Sequence, residues 1–326
     1  MSLRDPLYAV VFAAGLYLLP AGQAAALRIA VISDLNGSYG ATRYAPRVAA
    51  AIGAIVALDP DLVISTGDMV AGQRRPRLSE TEIRAMWRAF HAVVSDPLER
   101  AGIPLAVTPG NHDASGYDGF EWERRIYAEE WRARQPKLDF VEGADYPFFY
   151  AFDLGGVRFV SLDVTTIGPL DPAQMAALHS AMTSAPAARV VFSHLPLWPF
   201  ATGRETEIIG DPALETLFAE LGIDIHLSGH HHAFFAGALG NVAVVSQACL
   251  GAGPRAWLGH SSRSDHAITL LDIDASGNVV VRAFEGPGFR RLLDIEALPR
   301  AIQSHGRTIK RLDLAPTSGV TWNARQ

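Results

Sequence analysis

Five short polar clusters stand out in this chain of 326 residues, because each follows an apolar run. They are Asp34-Leu35-Asn36, Gly67-Asp68, Gly110-Asn111-His112-Asp113, His194 and Gly229-His230-His231-His232. Their side chains offer carboxylate, amide and imidazole donors, a set that suits Mn, Fe or Zn. The chain has a single cysteine, Cys249, so an intrachain disulfide framework and a thiolate metal cluster are both excluded.

Hydrolysis of a phosphate ester is the chemistry that such donors serve. Two cations about 3.5–4 Å apart lower the pKa of a bound water and neutralise the phosphoryl oxygens, and a carboxylate has to bridge cations held so close. Residues two apart in extended backbone face the same way. His230 and His232 are therefore predicted to reach the metals while His231 points away. The same rule places Asp34 and Asn36 on a common face.

The elements that position these clusters alternate between strand and helix in the first half of the chain. Apolar strands are predicted to end near Ser33, Ser65 and Val107. A helix is predicted over Pro46–Leu58, and a second helix follows the capping box that begins at Ser79. Because strand ends at one edge of an α/β sheet converge on a crevice, the clusters are expected to meet there.

The second half is richer in strands. A hairpin is predicted around Gly155-Gly156, and helices are predicted to begin after Asp171 and Asp211. Further strands are predicted over Arg189–Ser193, Ile223–Ser228, Val242–Ser246, Ala267–Ile273 and Val279–Phe284. The predicted fold class is α/β (α+β): a four-layer sandwich in which two mixed β-sheets pack face to face and helices flank them.

The ordered clusters resemble the signature of the calcineurin-like metallophosphoesterases, which reads D-x-H, G-D, G-N-H-[DE], a lone H, then G-H-x-H. The resemblance spans roughly residues 27 to 285. It implies the metallo-dependent phosphatase fold, two divalent or trivalent metal ions (Mn, Fe or Zn) and a small phosphate ester as substrate.

The resemblance also implies a role for each matching residue. Asp34 and His232 would bind the first metal, with Asn36 as a further candidate ligand, and Asp68 would bridge both metals. The second metal would be bound by Asn111, His194 and His230. A hydroxide held between the metals would attack phosphorus. His112 would act as general acid, with Asp113 as a candidate to orient it, because Ala71 stands where some relatives carry the orienting carboxylate.

Asn36 departs from the family pattern, which has a histidine at this position. An amide oxygen is a weaker and harder donor than imidazole. Either Asn36 binds the first metal loosely and favours a harder ion such as Mn, or it only hydrogen-bonds a metal-bound water. Metal content after dialysis distinguishes these readings, since the first predicts one labile ion.

The ends of the chain differ from its centre. Residues 1–26 have the layout of a secretory signal peptide: Arg4, an apolar stretch from Leu7 to Leu19, and an A-x-A site at 24–26. This predicts export to the periplasm or outside the cell, the alternative being an uncleaved membrane anchor. Residues 27–285 form the predicted phosphoesterase domain, and residues 286–326 are interpreted as an appended arm or tail without a clear core pattern.

Two functions fit these observations. The first is a metal-dependent phosphomonoesterase or phosphodiesterase, and the second is a metal-binding scaffold without turnover, supported by Asn36 alone. The general acid His112 favours the enzyme, because a scaffold does not need one. A net charge of −6 without a Lys/Arg run argues against general nucleic-acid binding. Stable membrane association is expected only if residues 1–26 are retained.

Overall fold

The computed structural model describes residues 27–184 and 186–323. The strands in chain order are β1 Leu27–Ile32, β2 Leu62–Ser65, β3 Leu105–Val107, β4 Asp139–Asp145, β5 Phe149–Leu154, β6 Val157–Ser161, β7 Ala188–Ser193, β8 Ile225–Ser228, β9 Phe235–Leu239, β10 Val242–Ser246, β11 Ala267–Ile273, β12 Val279–Glu285, β13 Arg291–Leu292, β14 Ala301–Ser304, β15 Arg307–Arg311 and β16 Val320–Trp322. The α-helices are α1 Pro46–Leu58, α2 Glu80–Phe90, α3 Asp96–Arg100, α4 Asn111–Ala114, α5 Glu121–Arg132, α6 Pro172–Ala181 and α7 Pro212–Glu220. A π-helical turn, His91–Ser95, joins α2 to α3, and a 3₁₀ turn spans Ile295–Ala297.

The first sheet is mixed, as predicted. Its strands run in the order β13-β12-β11-β1-β2-β3, and β16 also pairs with β12. β1, β2 and β3 are parallel, so their carboxyl ends lie at one edge, whereas β11 and β12 pair antiparallel. The apolar side chains of β1 and β2 are buried on both faces of the sheet, which is why these two strands read as near-continuous hydrophobic runs.

The second sheet runs β14-β15-β9-β10-β8-β7-β6-β5-β4. Strands β6, β7, β8 and β10 are parallel, and the flanking strands pair antiparallel. The hairpin predicted around Gly155-Gly156 is confirmed as β5 and β6. Strands β4 and β9 and helix α5 were not anticipated from the sequence.

The two sheets share a single hydrophobic core with helices packed outside, which confirms the predicted sandwich. Tyr150 of β5 joins them: its hydroxyl donates to the Val107 carbonyl oxygen at 2.6 Å and accepts from the Val107 amide at 2.9 Å. Since buried polar groups need hydrogen-bond partners, this pair fixes the edge strand β3 against the second sheet.

Local signals account for the helix boundaries. Pro46, Pro172 and Pro212 each occupy the first helical turn, where the missing amide proton costs nothing. The predicted capping box is present before α2, with the Ser79 hydroxyl accepting from the Glu82 amide at 3.3 Å. The side chains of Asp171 and Asp211 cap α6 and α7, as predicted.

The segment after Gly286 departs from its interpretation as an arm without a core pattern. Strands β13 and β16 pair with β12, while β15 pairs with β9 and carries β14. Its contribution to the core includes Ile302, Ile309, Leu312 and Val320, all fully buried. These strands are two to five residues long, too short to show a hydrophobic period in the sequence.

The predicted signal peptide lies outside the described residues. Among the described residues, no helix has the length and apolar character needed to cross a membrane.

Candidate metal centre

The five polar clusters meet at one edge of the sandwich. Asp34 follows β1, Asp68 follows β2 and Asn111 follows β3, at the carboxyl ends of three parallel strands. His194 follows β7 and His230 follows β8, which are parallel in the facing sheet. The convergence expected from strand direction is therefore present, and both sheets contribute.

Hydrogen bonds from backbone amides tie four of the five loops together. The Asp34 amide donates to the Gly67 carbonyl oxygen at 3.0 Å, and the Gly229 amide donates to the His194 carbonyl oxygen at 2.9 Å. The His230 amide donates to the Asp34 carboxylate at 3.1 Å, which joins the two sheets at the site. Loops held in this way position side chains before any ligand arrives.

Two motif glycines are required by close packing. A Cβ on Gly110 would lie 2.1 Å from the Asp68 amide nitrogen and 2.3 Å from its Oδ1. A Cβ on Gly229 would lie 2.2 Å from the Ser33 hydroxyl and 2.9 Å from Asp34 Oδ2. The glycines thus allow neighbouring loops to approach the two carboxylates directly.

Four of the predicted ligands adopt left-handed backbone. The φ angles are 50° at Asp34, 54° at Asp68, 65° at His230 and 52° at His232. The prediction that His230 and His232 share a face because their segment is extended is therefore wrong in its reasoning. Non-glycine residues in this region cost about 1–3 kcal/mol each and cluster at functional sites, where the surrounding structure imposes them.

His231 does point away, as expected. Its Nδ1 accepts from the Phe200 amide at 3.0 Å, and its Nε2 lies 3.0 Å from the Glu207 carbonyl oxygen. Burial lowers the pKa of His231 to about 3, so the ring is a neutral structural element.

The remaining donors lie close together. Asp68 Oδ1 is 3.3 Å from His194 Nε2, which is 3.0 Å from Asn111 Oδ1 and 3.3 Å from His230 Nδ1. On the other side of the site, Asp34 Oδ1 is 3.1 Å from His232 Nε2. Asp68, His194 and His230 each place a ligand atom within 4.8 Å of the others, so one cation can contact all three.

The donor set fits metal cations. Asp34 Oδ1 is buried and lies 3.1 Å from His232 Nε2, a spacing at which one cation can contact both atoms. Although burial alone would lower the pKa of His194, the Asp68 carboxylate beside it raises that pKa to about 9. A metal cation bound here would take the place of a proton on His194, because metal ligands must be deprotonated.

Asn36 lines the same cleft. Its amide nitrogen donates to the Val70 carbonyl oxygen at 3.4 Å, and its backbone amide donates to the Asp68 carbonyl oxygen at 3.0 Å. The side-chain oxygen has no partner among the described residues. Whether this oxygen binds a metal or a metal-bound water stays a prediction.

His112 stands at the cleft with about a quarter of its side chain exposed. Its Nδ1 lies 3.3 Å from the Gly72 carbonyl oxygen and its Nε2 lies 3.9 Å from Asp68 Oδ2. A proton on Nδ1 donated to this carbonyl leaves Nε2 directed toward the metal ligands, the orientation that a general acid requires.

Asp113 does not orient His112 through its side chain, contrary to its predicted role. Its Oδ1 accepts from the Val70 amide at 2.8 Å and its Oδ2 from the Gly110 amide at 3.1 Å. Burial, with the nearby Asp68 charge, raises the pKa of Asp113 to about 8. Asp113 therefore fixes the loops that carry Asp68 and Asn111, and the Gly72 carbonyl occupies the orienting position.

Glu207 and Gln73 are site residues that the sequence analysis missed. Glu207 Oε2 accepts from His230 Nε2 at 2.7 Å, while its other oxygen pairs with Arg204. Gln73 Oε1 accepts from Asn111 Nδ2 at 2.7 Å, which leaves the Asn111 oxygen facing His194. Both orient predicted ligands from loops distant in sequence, so no spacing pattern announces them.

Residues outside the polar clusters form the walls of the cleft or pack beside it. Tyr39 is 53% exposed and its ring lies 5.3 Å from that of His112, so it is a wall residue. Trp198 and Phe200, a few residues after His194, are buried in the hydrophobic core. Arg75 and Arg77 donate to the carbonyl oxygens of Asp118 and Gly119, which makes them loop braces.

Comparison with known families agrees with this geometry. A model of the calcineurin-like phosphoesterase family matches residues 27–234. The chain belongs to this family and is a metallophosphoesterase, a class of phosphoric ester hydrolases. A comparison with curated proteins finds no match.

Among the solved structures that share the fold are the following three. A purple acid phosphatase from yellow lupin (Lupinus luteus) seeds has 18% identity and a TM-score of 0.65, over 84% of this chain and 53% of that one. A dimetal phosphatase from Danio rerio has 14% identity and a TM-score of 0.55, over 81% and 97% of the two chains. GAP50, described as the anchor in the inner membrane complex of Plasmodium, has 13% identity and a TM-score of 0.53 over 91% of each. This chain thus spans about half the length of the lupin enzyme.

Proposed function

We propose that this protein hydrolyses small phosphate esters, either monoesters or diesters, with two metal ions. The observation that carries the proposal is the position of Asp68. Its Oδ1 lies 3.3 Å from His194 Nε2, in the group that also holds Asn111 and His230. Asp68 also lines the same cleft as His232, whose Nε2 lies 3.1 Å from Asp34. Two neighbouring cations require a carboxylate that both can share, and Asp68 is the candidate for that role.

The first set would hold one ion and the second set the other, with Asp68 common to both. When bound, Mn, Fe or Zn ions at such a centre supply an activated water and neutralise the phosphoryl oxygens. The chain itself supplies the order of the site, since the loop hydrogen bonds and Asp113 fix both carboxylates.

His112 serves as the general acid in this proposal. Its Nδ1 proton is held by the Gly72 carbonyl oxygen, so the Nε2 proton is the one available for the leaving oxygen. Tyr39, which packs against the imidazole ring, limits the orientations of His112 and offers a flat surface to the leaving group.

The direct test is hydrolysis of p-nitrophenyl phosphate and bis-p-nitrophenyl phosphate by the mature protein, with Mn, Fe, Zn or no added metal. Metal-dependent turnover supports the proposal, and the preferred ester separates a monoesterase from a diesterase. Folded protein without turnover of either ester under any metal would instead favour the scaffold alternative.

We also propose that the protein is exported. The support is the signal-peptide pattern of residues 1–26, in which Ala24-Ala25-Ala26 offers the cleavage site. Amino-terminal sequencing of the protein from a periplasmic or culture fraction should return Leu27 first. Protein that retains Met1 in the membrane fraction would indicate an uncleaved anchor.

A further inference from the structure

Two arginines, Arg204 and Arg255, line the cleft above the metal ligands, in a cavity of about 420 Å³ that also holds Asp68, His112 and His232. Neither belongs to the polar clusters at the strand ends. The chemistry of a guanidinium is narrow, because it stays protonated and offers a planar fork of donors suited to carboxylate and phosphate oxygens.

The backbone of Arg255 is fixed beside the metal-binding loop. Its amide donates to the His232 carbonyl oxygen at 3.1 Å, and its carbonyl oxygen accepts from the Ser264 amide at 3.0 Å. The preceding residues are held as well, since His232 Nδ1 lies 3.0 Å from the Gly253 carbonyl oxygen. The side chain therefore projects from a rigid base next to a predicted ligand of the first metal.

The guanidinium of Arg255 is left without a protein partner. Among the residues that the structure describes, it forms no ion pair and no hydrogen bond, and its Nε is shielded from solvent. A buried donor without an acceptor costs about 1–3 kcal/mol. Elsewhere in the fold, half-buried arginines are matched: Arg124 pairs with Asp163, and Arg28 with Asp272.

Arg204 adds to the positive charge of the cleft. One side of its guanidinium pairs with Glu207, but its Nε is also shielded and lacks an acceptor. Burial lowers the pKa of Arg255, and repulsion from Arg204 lowers it further. An anion placed between the two side chains would relieve both the desolvation and the repulsion.

We infer that Arg255, assisted by Arg204, binds a second anionic group of the substrate, a carboxylate or a further phosphate, while the scissile phosphoryl group lies at the proposed metal centre. This inference rests on the proposed function and adds a substrate class to it: phosphate esters that carry another negative charge. Two carboxylates, Asp34 and Asp68, already serve the metals, so Arg255 remains available for the substrate.

The test uses pairs of non-hydrolysable phosphonates on the Mn-loaded protein, with affinity measured by calorimetry. Phosphonoacetate, 3-phosphonopropionate and 4-phosphonobutyrate carry a carboxylate at increasing distance, and methyl-, ethyl- and propylphosphonate are their counterparts without the carboxylate. At least one carboxylated probe should bind roughly 10- to 100-fold more tightly than its counterpart, the scale of a hydrogen bond to a charged group.

Three variants locate this preference. Arg255→Met should abolish it without changing the affinity for the alkylphosphonates, and Arg255→Lys should keep only part of it, because lysine lacks the fork. Arg263→Met removes the same charge from an exposed arginine of the same loop and should leave the preference intact. Circular dichroism and melting temperature confirm that each variant is folded.

The other outcomes are distinct. A preference that survives Arg255→Met, or none in the natural protein, overturns the inference while leaving phosphonate binding and turnover as evidence for the proposed function. An equal loss for both members of each pair shows that Arg255 contacts the phosphoryl group instead. If no phosphonate binds and no ester is hydrolysed, the proposed function itself fails.

Discussion

Among the single residues, His112 has the most specific chemical role. Its ring stands between the Gly72 carbonyl oxygen and Asp68, without being needed to hold a metal. His112→Ala should lower kcat by roughly 10²–10⁴-fold, the range of general acid–base catalysis, and leave the metal content unchanged. Steady-state kinetics and metal analysis of the same preparation check both parts. Unchanged kcat would contradict the assigned role.

Glu207 acts through His230. Its carboxylate accepts from His230 Nε2 at 2.7 Å, and that hydrogen bond lowers the pKa of Glu207 to about 2. Glu207→Ala should weaken metal retention by roughly 10- to 100-fold, as loss of such an orienting partner does at other metal sites. Glu205→Ala, on the same loop, is the control. Equal metal content of both variants after dialysis would show that Glu207 does not position the ligand.

His226 gives a pH dependence away from the metal ligands. It is buried, its Nε2 lies 2.8 Å from the Ser193 hydroxyl, and burial lowers its pKa to about 3. The unfolded chain takes up this proton below about pH 6.5, so the stability contribution present above that pH is lost as the pH falls toward 3. The loss is about 1.4 kcal/mol per pH unit in this window.

The measurement is the free energy of unfolding of the natural protein and of His226→Gln between pH 7 and pH 4. The variant should show the shallower acid slope, because glutamine keeps a hydrogen-bonding group near Ser193 but does not titrate. Parallel curves would mean that His226 is already able to take up a proton in the folded protein.

At the scale of elements, the sequence predicted which residues meet at the site, but it did not predict the backbone conformation that brings them there. Strand ends were readable because apolar runs stop at polar residues, and all seven proposed ligands follow such runs. The turns were not readable: His230 and His232 face the site through left-handed backbone, which only tertiary contacts impose on histidine. For the same reason the side-chain contacts of Asp113 and Glu207 could not be deduced.

Helix α2 begins with a capping box whose contribution to the stability of the protein can be measured. The Ser79 hydroxyl accepts from the Glu82 amide, and the Glu82 carboxylate accepts from the Ser79 amide at 2.7 Å. Ser79→Ala should lower the free energy of unfolding by about 1 kcal/mol, since an amide at the helix start loses its acceptor. Urea denaturation measures it, with Ser276→Ala on an exposed turn as control. Equal stability of the two variants would contradict a role for the cap.

Across the whole molecule, the two-sheet sandwich was predictable because its central strands are apolar and end at polar residues, and because helices separate several of them along the chain. The closing strands were not, since β13 to β16 are only two to five residues long, and β15 and β16 pair with strands distant in sequence, β9 and β12. Through the pairing of these strands, residues 286–323 belong to both sheets. Arg255 shows the same limit at the cleft, because its lack of a partner is visible only when every neighbour is in place.

The measurement that tests the central claim most directly is a metal titration of the metal-free protein, following hydrolysis of bis-p-nitrophenyl phosphate or p-nitrophenyl phosphate as Mn is added. The two sets of donors near Asp68 predict that turnover rises until two ions are bound per chain. Added Mn should restore neither metal binding nor turnover to the Asp68→Ala variant. Full activity at one ion per chain, or activity that survives complete removal of metal, would contradict a two-metal centre.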